Sequence, residues 1–309
     1  MSATTVAAGA IQLAGALACP LVSGFIQHLK GRLQGRSGSP ALQPYRELRR
    51  LWGKSAVDPE PTTALYRLAP ALVAACAAIG LVLVPVAGRS PDWGLGNDAL
   101  VLVGLLALGR FATAAAAWDT GGGFGLMGAS RDLTFAVFVE GVFLLVVLLA
   151  ALAAGGSTDL VAMSGAAAGA DVWNQPAHWC AGAAFALVVL AESGRQPVDN
   201  PDTHLELTMI HEGPLLEYAG RDLAYLQWAA SARLWIMLLL AAQLFAPTSG
   251  GFATRVAILV VTIVALAIGI ALIETSVAKM RILRVPIFLA GGAGLCLIGL
   301  VSWLAGGVA

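Results

Sequence analysis

Segment 135–155 reads FAVFVEGVFLLVVLLAALAAG, an unbroken apolar run that contains one ionisable residue, Glu140. A helix of about 20 apolar residues crosses the ~30 Å hydrocarbon layer of a bilayer. We interpret this run and the other long apolar runs as membrane-spanning helices, at 6–29, 64–87, 98–118, 177–191, 231–246, 253–273 and 285–304. The sequence therefore predicts an all-α integral membrane protein of about eight transmembrane helices, in a single polytopic domain over residues 1–309.

The composition of the whole chain supports this class. Hydrophobic residues make up 58% of the 309 residues and charged residues 12%, and the mean hydropathy is +0.81. A soluble domain carries about 25% charged residues, so this much apolar surface would not be hidden in a water-soluble core. The first apolar run has no preceding basic segment, which predicts a retained helix rather than a signal peptide. The zero net charge gives no reason to expect a nucleic-acid partner.

The basic residues predict the orientation of the helices. All of the 18 Lys and Arg residues except Arg89 and Arg255 lie in or beside the segments that follow the first, third, fifth and seventh helices. Cytoplasmic loops are enriched in Lys and Arg. We therefore predict that both termini are on the non-cytoplasmic side and that segments 30–63, 119–134 and 192–230 are cytoplasmic loops.

The first two of these loops carry local patterns of their own. In YRELRRLW (45–52), Tyr45, Leu48 and Trp52 share one helical face, which predicts a short interfacial helix; a solvated basic loop is the alternative. The second loop, DTGGGFGLMGASRDL (119–133), lacks the GxxxxGK[ST] spacing and follows no strand, so a nucleotide site is not expected. We interpret it as a close-packed turn between helices.

The potential metal ligands do not form a recognisable site. The four cysteines fall in different predicted helices without a CxxC spacing, so the chain is not expected to bind an iron–sulfur cluster or zinc through Cys19, Cys76, Cys180 and Cys296. Two histidines and two glutamates lie close together in the third loop, at His204, Glu206, His211 and Glu212. They lack the HExxH pattern, and Pro214 would interrupt the helix that this pattern requires. Any redox centre is expected in a partner.

The third loop is strongly acidic on the side where basic residues normally collect. Seven of the 18 acidic residues lie there, namely Glu192, Asp199, Asp202, Glu206, Glu212, Glu217 and Asp222. A solvated acidic surface is one interpretation. The apolar residues interleaved between His204 and Ala219 instead predict packing against the helices. Neighbouring carboxylates that are partly desolvated have raised, coupled pKa values, which suits them to passing protons.

Glu140 is the other unusual acidic residue. A carboxylate in hydrocarbon costs on the order of 3 kcal/mol on insertion scales, so Glu140 is expected to face a polar interior. A side chain that reaches the headgroups from near the helix end is the alternative.

The segment 192–220, ESGRQPVDNPDTHLELTMIHEGPLLEYAG, resembles the long cytoplasmic loop of the complex I subunit 1 family. The matching positions are Glu192, Arg195, Pro197, Asp199, Pro201, Glu206, Glu217, Tyr218 and Gly220. Upstream, GASRDLTFAVFVE (128–140) is similar to a second family motif, which places Ser130, Arg131 and Glu140 on corresponding positions. The first loop, LQGRSGSPALQPYRELRRL (33–51), is more loosely similar. The chain is identified as a member of this family over nearly its whole length.

The resemblance also indicates a branch of the family. Val198 and Asn200 depart from the complex I pattern where a quinone entrance would be lined, and IHEGPLL (210–216) is similar to the hydrogenase branch, of the formate hydrogenlyase and hydrogenase-4 type. This implies the membrane anchor and coupling subunit of a nickel–iron hydrogenase, linking electron transfer in a peripheral arm to proton or sodium translocation. The quinone-binding subunit 1 of an NADH:quinone oxidoreductase is the alternative.

The resemblance further implies roles and partners. The expected proton path contains Glu140, Glu192, Asp199, Glu206, Glu212 and Glu217, and the charge-tuning or interface residues are Arg131, Arg195 and Arg221. The chain would be a non-catalytic subunit without a cofactor or metal of its own, because the iron–sulfur clusters and the nickel–iron centre belong to partner subunits. The expected partners are the hydrogenase small and large subunits, a ferredoxin-like iron–sulfur subunit and antiporter-like membrane subunits. The location would be a bacterial or archaeal cytoplasmic (inner) membrane.

Two further functions remain open at the level of sequence. One is a passive anchor whose carboxylates only bind the peripheral arm. The other is an autonomous transporter, although the chain shows no inverted internal repeat of the kind found in many transporters.

Overall fold

The computed structural model describes residues 3–60, 62–91, 93–200 and 209–306, which form a bundle of α-helices without a β-strand in this part of the chain. The helices are α1 (Ala3–Leu33), α2 (Gln43–Trp52), α3 (Ala64–Leu83), α4 (Ala99–Asp119), α5 (Gly123–Ala153), α6 (Leu160–Ala167), α7 (Ala170–Trp173), α8 (Pro176–Glu192), α9 (Gly220–Phe245), α10 (Phe252–Ser276) and α11 (Val285–Gly306). The predicted all-α membrane class is confirmed.

The number of spanning helices follows from helix length. Among the described residues, seven helices are long and apolar enough to cross a membrane. The remaining predicted span, at 177–191, corresponds to α8, which has 17 residues and is apolar. At 1.5 Å per residue it is about 26 Å long, slightly less than the hydrocarbon layer. The count of eight therefore stays a prediction.

The short helix predicted in the first loop is confirmed as α2. Pro44 at its start has the fixed φ that suits a first helical turn. Its apolar side packs on the bundle: Leu51 is buried, and Trp52 meets Tyr225 of α9 edge to face at 5.1 Å. The hydroxyl of Tyr45 donates to the carbonyl of Leu17 in α1. The arginines at 46, 49 and 50 lie on the exposed side.

The segment 119–134, interpreted as a turn from sequence, is mostly helical, because α5 already begins at Gly123. The glycines here serve close packing between backbones rather than a turn. A Cβ atom added at Gly128 would lie 2.7 Å from the Cα of Gly213 in the third loop. The glycines thus let α5 continue through the segment while the loop lies directly against it.

A proline in α1 supplies a hydrogen-bond acceptor to α9. Pro20 has no N–H group, so the carbonyl of Ala16 lacks its usual helical donor. The indole of Trp228 in α9 donates to this carbonyl at 3.1 Å. The irregular turn of α1 therefore fixes α1 against α9.

Helix α9 lies at the centre of the bundle, and α10 and α11 lie at its edge. In the apolar windows of these helices, 67% of the α9 residues are buried, against 28% for α10 and 22% for α11. Helix α9 packs on α1, α3, α8 and α10, and α11 packs on α5 and α8. Much of the outer surface of α10 and α11 therefore faces lipid or neighbouring subunits.

The two ends of the bundle differ in chemistry. The end at which α1, α4, α8 and α10 finish, called here the charged end, carries the ion pairs described below. At the opposite end, the side-chain amides of uncharged residues donate hydrogen bonds to the carbonyls at the end of α3 and just beyond it. Gln12 donates to Val82 and Val84, Asn97 to Leu83, and Gln243 to Pro85, at 2.6–3.0 Å. These carbonyls have no partner within the helix, so the amides stabilise its end.

We expect Gly128→Ala to destabilise the chain by about 1–3 kcal/mol, because the new methyl group overlaps Gly213 and the loop must move. The matched control is Gly123→Ala on the same helix, where an added Cβ meets nothing within 4 Å. Thermal unfolding of the detergent-purified protein, followed by size-exclusion chromatography, measures both. Equal melting temperatures for the two variants would contradict the close-packing explanation.

Candidate functional site

Arg110 on α4 is the centre of a buried charge network. Its residue surface is 3% exposed. Its guanidinium donates a short hydrogen bond to Glu192 at the end of α8. It also lies 3.5 Å from a carboxylate oxygen of Glu140 and 3.7 Å from one of Asp132, both on α5. Two helices, α5 and α8, thus place three carboxylates around one buried cation on α4.

A second cation completes this part of the network. Arg233 on α9 lies 3.8 Å from the carboxylate of Glu192, on the opposite oxygen from Arg110. A buried charge needs an opposite charge close by, because the effective cost of desolvating one ion is several kcal/mol. The two arginines therefore make it possible for the carboxylates to lie inside the bundle.

The network continues from the helices into the third loop. His211 lies 3.7 Å from Asp132 through Nε2 and 3.3 Å from Asp199 through Nδ1. Asp199 in turn accepts a hydrogen bond from Nζ of Lys279 at 2.7 Å. A continuous series of charged and polar side chains therefore runs from Glu140 in α5 to the segment between α10 and α11.

Asp199 is held in its ionised form. Burial by itself would raise the pKa of this carboxyl, but the hydrogen bonds and charges of His211 and Lys279 outweigh burial and hold the pKa well below its usual range. The backbone amides of Asn200, Ile210 and His211 also donate to it at 2.9–3.3 Å. The raised pKa expected for the loop carboxylates is therefore wrong for Asp199, which acts as a fixed anion that orders the loop.

A second buried cluster joins the loop to α10 and α1. Glu274, near the end of α10, has 1% of its side chain exposed. One of its oxygens lies 3.1 Å from Arg195, and the other lies 3.1 Å from Lys30 of α1. This cluster fixes the start of the third loop against two helices.

Two tyrosines fix the other end of the third loop. The rings of Tyr66 on α3 and Tyr218 stack with centroids 4.3 Å apart. Each hydroxyl donates across the stack, Tyr66 to the carbonyl of Glu217 and Tyr218 to the carbonyl of Tyr66. Burial, followed by the neighbouring Tyr66, raises the pKa of Tyr218 above its ordinary value, so this phenol remains a hydrogen-bond donor.

A cavity of about 610 Å³ opens onto the network. Asp132, Glu192, Asp199, His211 and Arg233 line its inner part, together with Arg110. Polar residues of α1, α2 and α9 line its outer part, at Ser23, Gln27, Gln43, Glu47, Gln227 and Ser231. Apolar side chains complete the wall, including Leu48, Val73, Leu226 and Leu234. The cavity gives water and small solutes a route to the buried carboxylates.

The structure brings some of the predicted site residues together and leaves others apart. Glu140, Glu192 and Asp199 belong to the network, and Glu212 lines the cavity. Glu217 is exposed and contributes its carbonyl to the tyrosine pair. Glu206, like His204, lies outside the described residues.

The three predicted arginines occupy different surroundings. Arg131 donates to the carbonyl of Met209 at 3.3 Å, which ties α5 to the loop. Arg195 pairs with Glu274 of α10, as described above. Arg221 is exposed at the start of α9 and forms no ion pair with the residues that the structure describes.

Several members of the network were not selected from the sequence. These are Arg110, Asp132, Arg233, Glu274, Lys30 and Lys279, and His211 was considered only as a metal ligand. A signal was present for three of them: Arg110, Arg233 and Glu274 are isolated charges within apolar helices, which is rare unless they have a function or a partner. Within the described ranges, no group of three His, Cys, Asp or Glu residues is arranged to hold a metal ion.

The fold and the site define a polytopic helical membrane protein with an internal charge network that opens to one end through a cavity. A family model described as NADH dehydrogenase matches residues 6–302. The chain therefore belongs to this family, that of complex I subunit 1, as the resemblance of 192–220 predicted.

Individual relatives agree with this assignment. Formate hydrogenlyase subunit 4 of Escherichia coli (strain K12) is 32% identical over 303 residues, covering 93% of this chain and 94% of the relative. Hydrogenase-4 component C of the same strain is 31% identical, covering 93% of this chain and 92% of the relative. A chain in the structure of the membrane-bound sulfane sulfur reductase (MBS), an archaeal respiratory membrane complex, superposes with a TM-score of 0.81 at 19% identity, covering 94% of this chain and 96% of that one. This last similarity confirms the fold.

We expect Arg110→Met to reduce the yield of folded protein severely, since removing one partner of a buried ion pair costs about 3–5 kcal/mol. The double variant Arg110→Met with Glu192→Gln should recover part of the yield, because one uncompensated charge is also removed. The control is Arg67→Met, whose pair with Asp58 is exposed and worth less than about 1 kcal/mol. Detergent-solubilised yield and melting temperature measure all three. A fully stable Arg110→Met single variant would show that the network does not depend on this cation.

We expect Asp199→Asn to speed amide hydrogen exchange at Ile210 and His211 by about tenfold or more, because their charged acceptor is lost. The folded pKa of Asp199 is lowered, so its stabilising effect is present above the ordinary carboxyl pKa and is lost only as the pH falls through the lowered value. The difference between wild type and variant should therefore persist from about pH 7 to about pH 5. Asp58→Asn, at an exposed carboxylate, serves as the control.

Proposed function

We propose that this chain is the membrane anchor and coupling subunit of a multi-subunit nickel–iron hydrogenase of the formate hydrogenlyase or hydrogenase-4 type. Similarity to two such membrane subunits over more than nine-tenths of the chain supports this assignment. The electrons would pass through iron–sulfur clusters and a nickel–iron centre in partner subunits. The chain itself would link this electron transfer to proton or sodium translocation in a bacterial or archaeal cytoplasmic membrane.

The observation that carries the coupling role is the connected charge network. A conformational or charge change at the third loop reaches Asp199 and His211, then Asp132 and Arg110, and then Glu140. Glu140 has 30% of its side chain exposed at the side of α5, whereas Arg110 has 2%. The network therefore has one end at the loop and another that reaches toward a lateral neighbour, where an antiporter-like subunit would be placed.

The partner subunits follow from the names of the relatives and from the surfaces of the bundle. Both close relatives are named as components of larger assemblies, which supports partner subunits for this chain. We assign the hydrogenase small and large subunits and a ferredoxin-like iron–sulfur subunit to the charged end, next to the third loop. We assign antiporter-like membrane subunits to the exposed apolar sides of the bundle.

The quinone-binding subunit of an NADH:quinone oxidoreductase is the second candidate. The cavity supports it, since its volume and partly apolar wall are suited to a small ring compound. The outer lining is polar, which favours water over an apolar isoprenoid tail at that position. Quinone-site inhibitors would block electron transfer if this candidate is right and would have no effect on a hydrogenase.

Purification from the native membrane tests the assignment directly. The complex is isolated in mild detergent through a tag on this chain, its subunits are identified by mass spectrometry, and hydrogen-dependent dye reduction is measured. Nickel–iron subunits with this activity are the expected result. Quinone reduction by NADH in a preparation without nickel would establish the second candidate instead.

In the purified complex, we expect Glu140→Gln to keep hydrogen-dependent dye reduction within about twofold of wild type but to lose most ion uptake into liposomes, because an amide does not carry a proton. Glu60→Gln, at an exposed position in the first loop, is the control. Unchanged assembly, dye reduction and ion uptake in Glu140→Gln would reduce the chain to a passive anchor. Ion uptake by the isolated chain alone would indicate an autonomous transporter.

A further inference from the structure

His211 occupies a bridging position between two carboxylates of different elements. Its Nδ1 is 3.3 Å from Asp199 of the loop, and its Nε2 is 3.7 Å from Asp132 of α5. The imidazole has 23% of its surface exposed, whereas the side chains of Asp132 and Asp199 have 8% and 7%. All three line the cavity, so His211 is the most accessible of the three to solvent in the cavity.

The orientation of the ring is fixed by the surrounding backbone. The N–H group of His211 donates to Asp199, which holds the residue at the carboxylate. The ring also packs against Gly194, where an added Cβ would be 3.0 Å from Nδ1. Gly194 has a φ of +62°, so a glycine suits this position both in conformation and in space. The loop is thus shaped to hold an imidazole edge-on between the two acids.

This position has a consequence for the protonation of the ring. A neutral imidazole has one N–H donor and one acceptor nitrogen, whereas an imidazolium has two donors. A charged ring would therefore present an N–H group to each carboxylate, to Asp199 at 3.3 Å and to Asp132 at 3.7 Å. Loss of one proton leaves one of the two contacts without a donor.

The charged groups near His211 come from several elements. Asp132 of α5 and Asp199 of the loop contact the ring, and Lys279, from the segment before α11, binds Asp199. The cavity beside the ring is also lined by Arg110, Glu192, Arg195, Glu212 and Arg233. Lys279 and Asp199 form an ion pair at 2.7 Å. Behind Asp132 lies Arg110, whose Nε has no hydrogen-bond partner among the described residues. The ring therefore lies between two ion pairs, Asp199 with Lys279 at 2.7 Å and Asp132 with Arg110 at 3.7 Å.

We infer that His211 is a proton relay that transfers protons from cavity water to Asp132. This inference rests on the proposed coupling function and specifies where its proton path begins. The imidazolium breaks its Nε2–H bond and an O–H bond forms on Asp132, through a small rotation or one intervening water. The ring, now neutral, keeps Nδ1–H on Asp199 and takes up a new proton at Nε2 from a hydronium ion in the cavity, which leaves a water molecule. Protonated Asp132 holds Arg110 less strongly, which leaves this arginine to Glu192 and Glu140.

The first test compares His211→Gln with wild type in the intact complex reconstituted in liposomes. Glutamine keeps a hydrogen-bond donor but does not titrate, so dye reduction should stay within about twofold while ion uptake falls at least about tenfold. His28→Gln is the matched control, since His28 binds the carbonyl of Ser39 away from the network. Normal ion uptake in His211→Gln would overturn the inference. The wild-type complex itself reports on the proposed function, because absent hydrogen-dependent activity would refute that function without involving His211.

Chemical rescue separates a relay from a structural role. His211→Ala leaves space in a cavity of about 610 Å³, into which free imidazole can diffuse. Added imidazole should restore ion uptake, and the pH dependence of the restored rate should shift when 4-methylimidazole is used instead. A variant that assembles and is not restored by either base would contradict the relay.

If the His211 variants assemble poorly, a spectroscopic measurement can still test the inference, because it does not require an active complex. The chain has four histidines, so selective ¹⁵N-histidine labelling of the purified chain in lipid bilayers gives a simple nuclear magnetic resonance spectrum. We expect Asp132→Asn to change the ring-nitrogen signals of His211, because the carboxylate that faces Nε2 is removed. Ring-nitrogen signals of His211 that do not change in Asp132→Asn would overturn the inference.

Discussion

The burial of the Arg110 guanidinium inside an apolar bundle is the constraint on which the site depends. A charge at that depth is tolerated only beside carboxylates, and the fold supplies them from α5 and α8, with Arg233 as the second cation. These pairs hold α4, α5, α8 and α9 in fixed register around the inner part of the cavity. The same pairs give the interior its polar path, so stability and function rest on the same contacts.

The helical architecture could be predicted because the bilayer sets a simple rule of length and polarity. The run at 135–155 shows it directly, and the amphipathic pattern at 45–52 gave the short helix α2. The start of α5 could not be predicted, since a glycine-rich stretch resembles a turn when considered locally. The glycine at 128 instead allows the close approach of Gly213, which comes from a segment far away in the chain.

The site was predictable only in part. Glu140 was detectable as an isolated carboxylate in an apolar run, and the loop motif indicated Glu192 and Asp199. The partners of these acids depend on which helices are neighbours, and no local pattern contains that information. Asp199 illustrates the difference: its neighbours in sequence are acidic and suggest a raised pKa, whereas the fold brings His211 and Lys279 to it and lowers the pKa instead.

Most residues of helix α10 are not buried by the rest of the bundle, whereas its C-terminal end is held by ion pairs. Within the described part of the chain its main packing partners are α1 and α9, and Glu274 near its end pairs with Arg195 and Lys30. Helix α10 is therefore held most firmly at the end that carries Glu274, and the rest of the helix is less covered. A lateral displacement of α10 by a neighbouring subunit would act on the ion pairs of Glu274, which is also where the third loop begins.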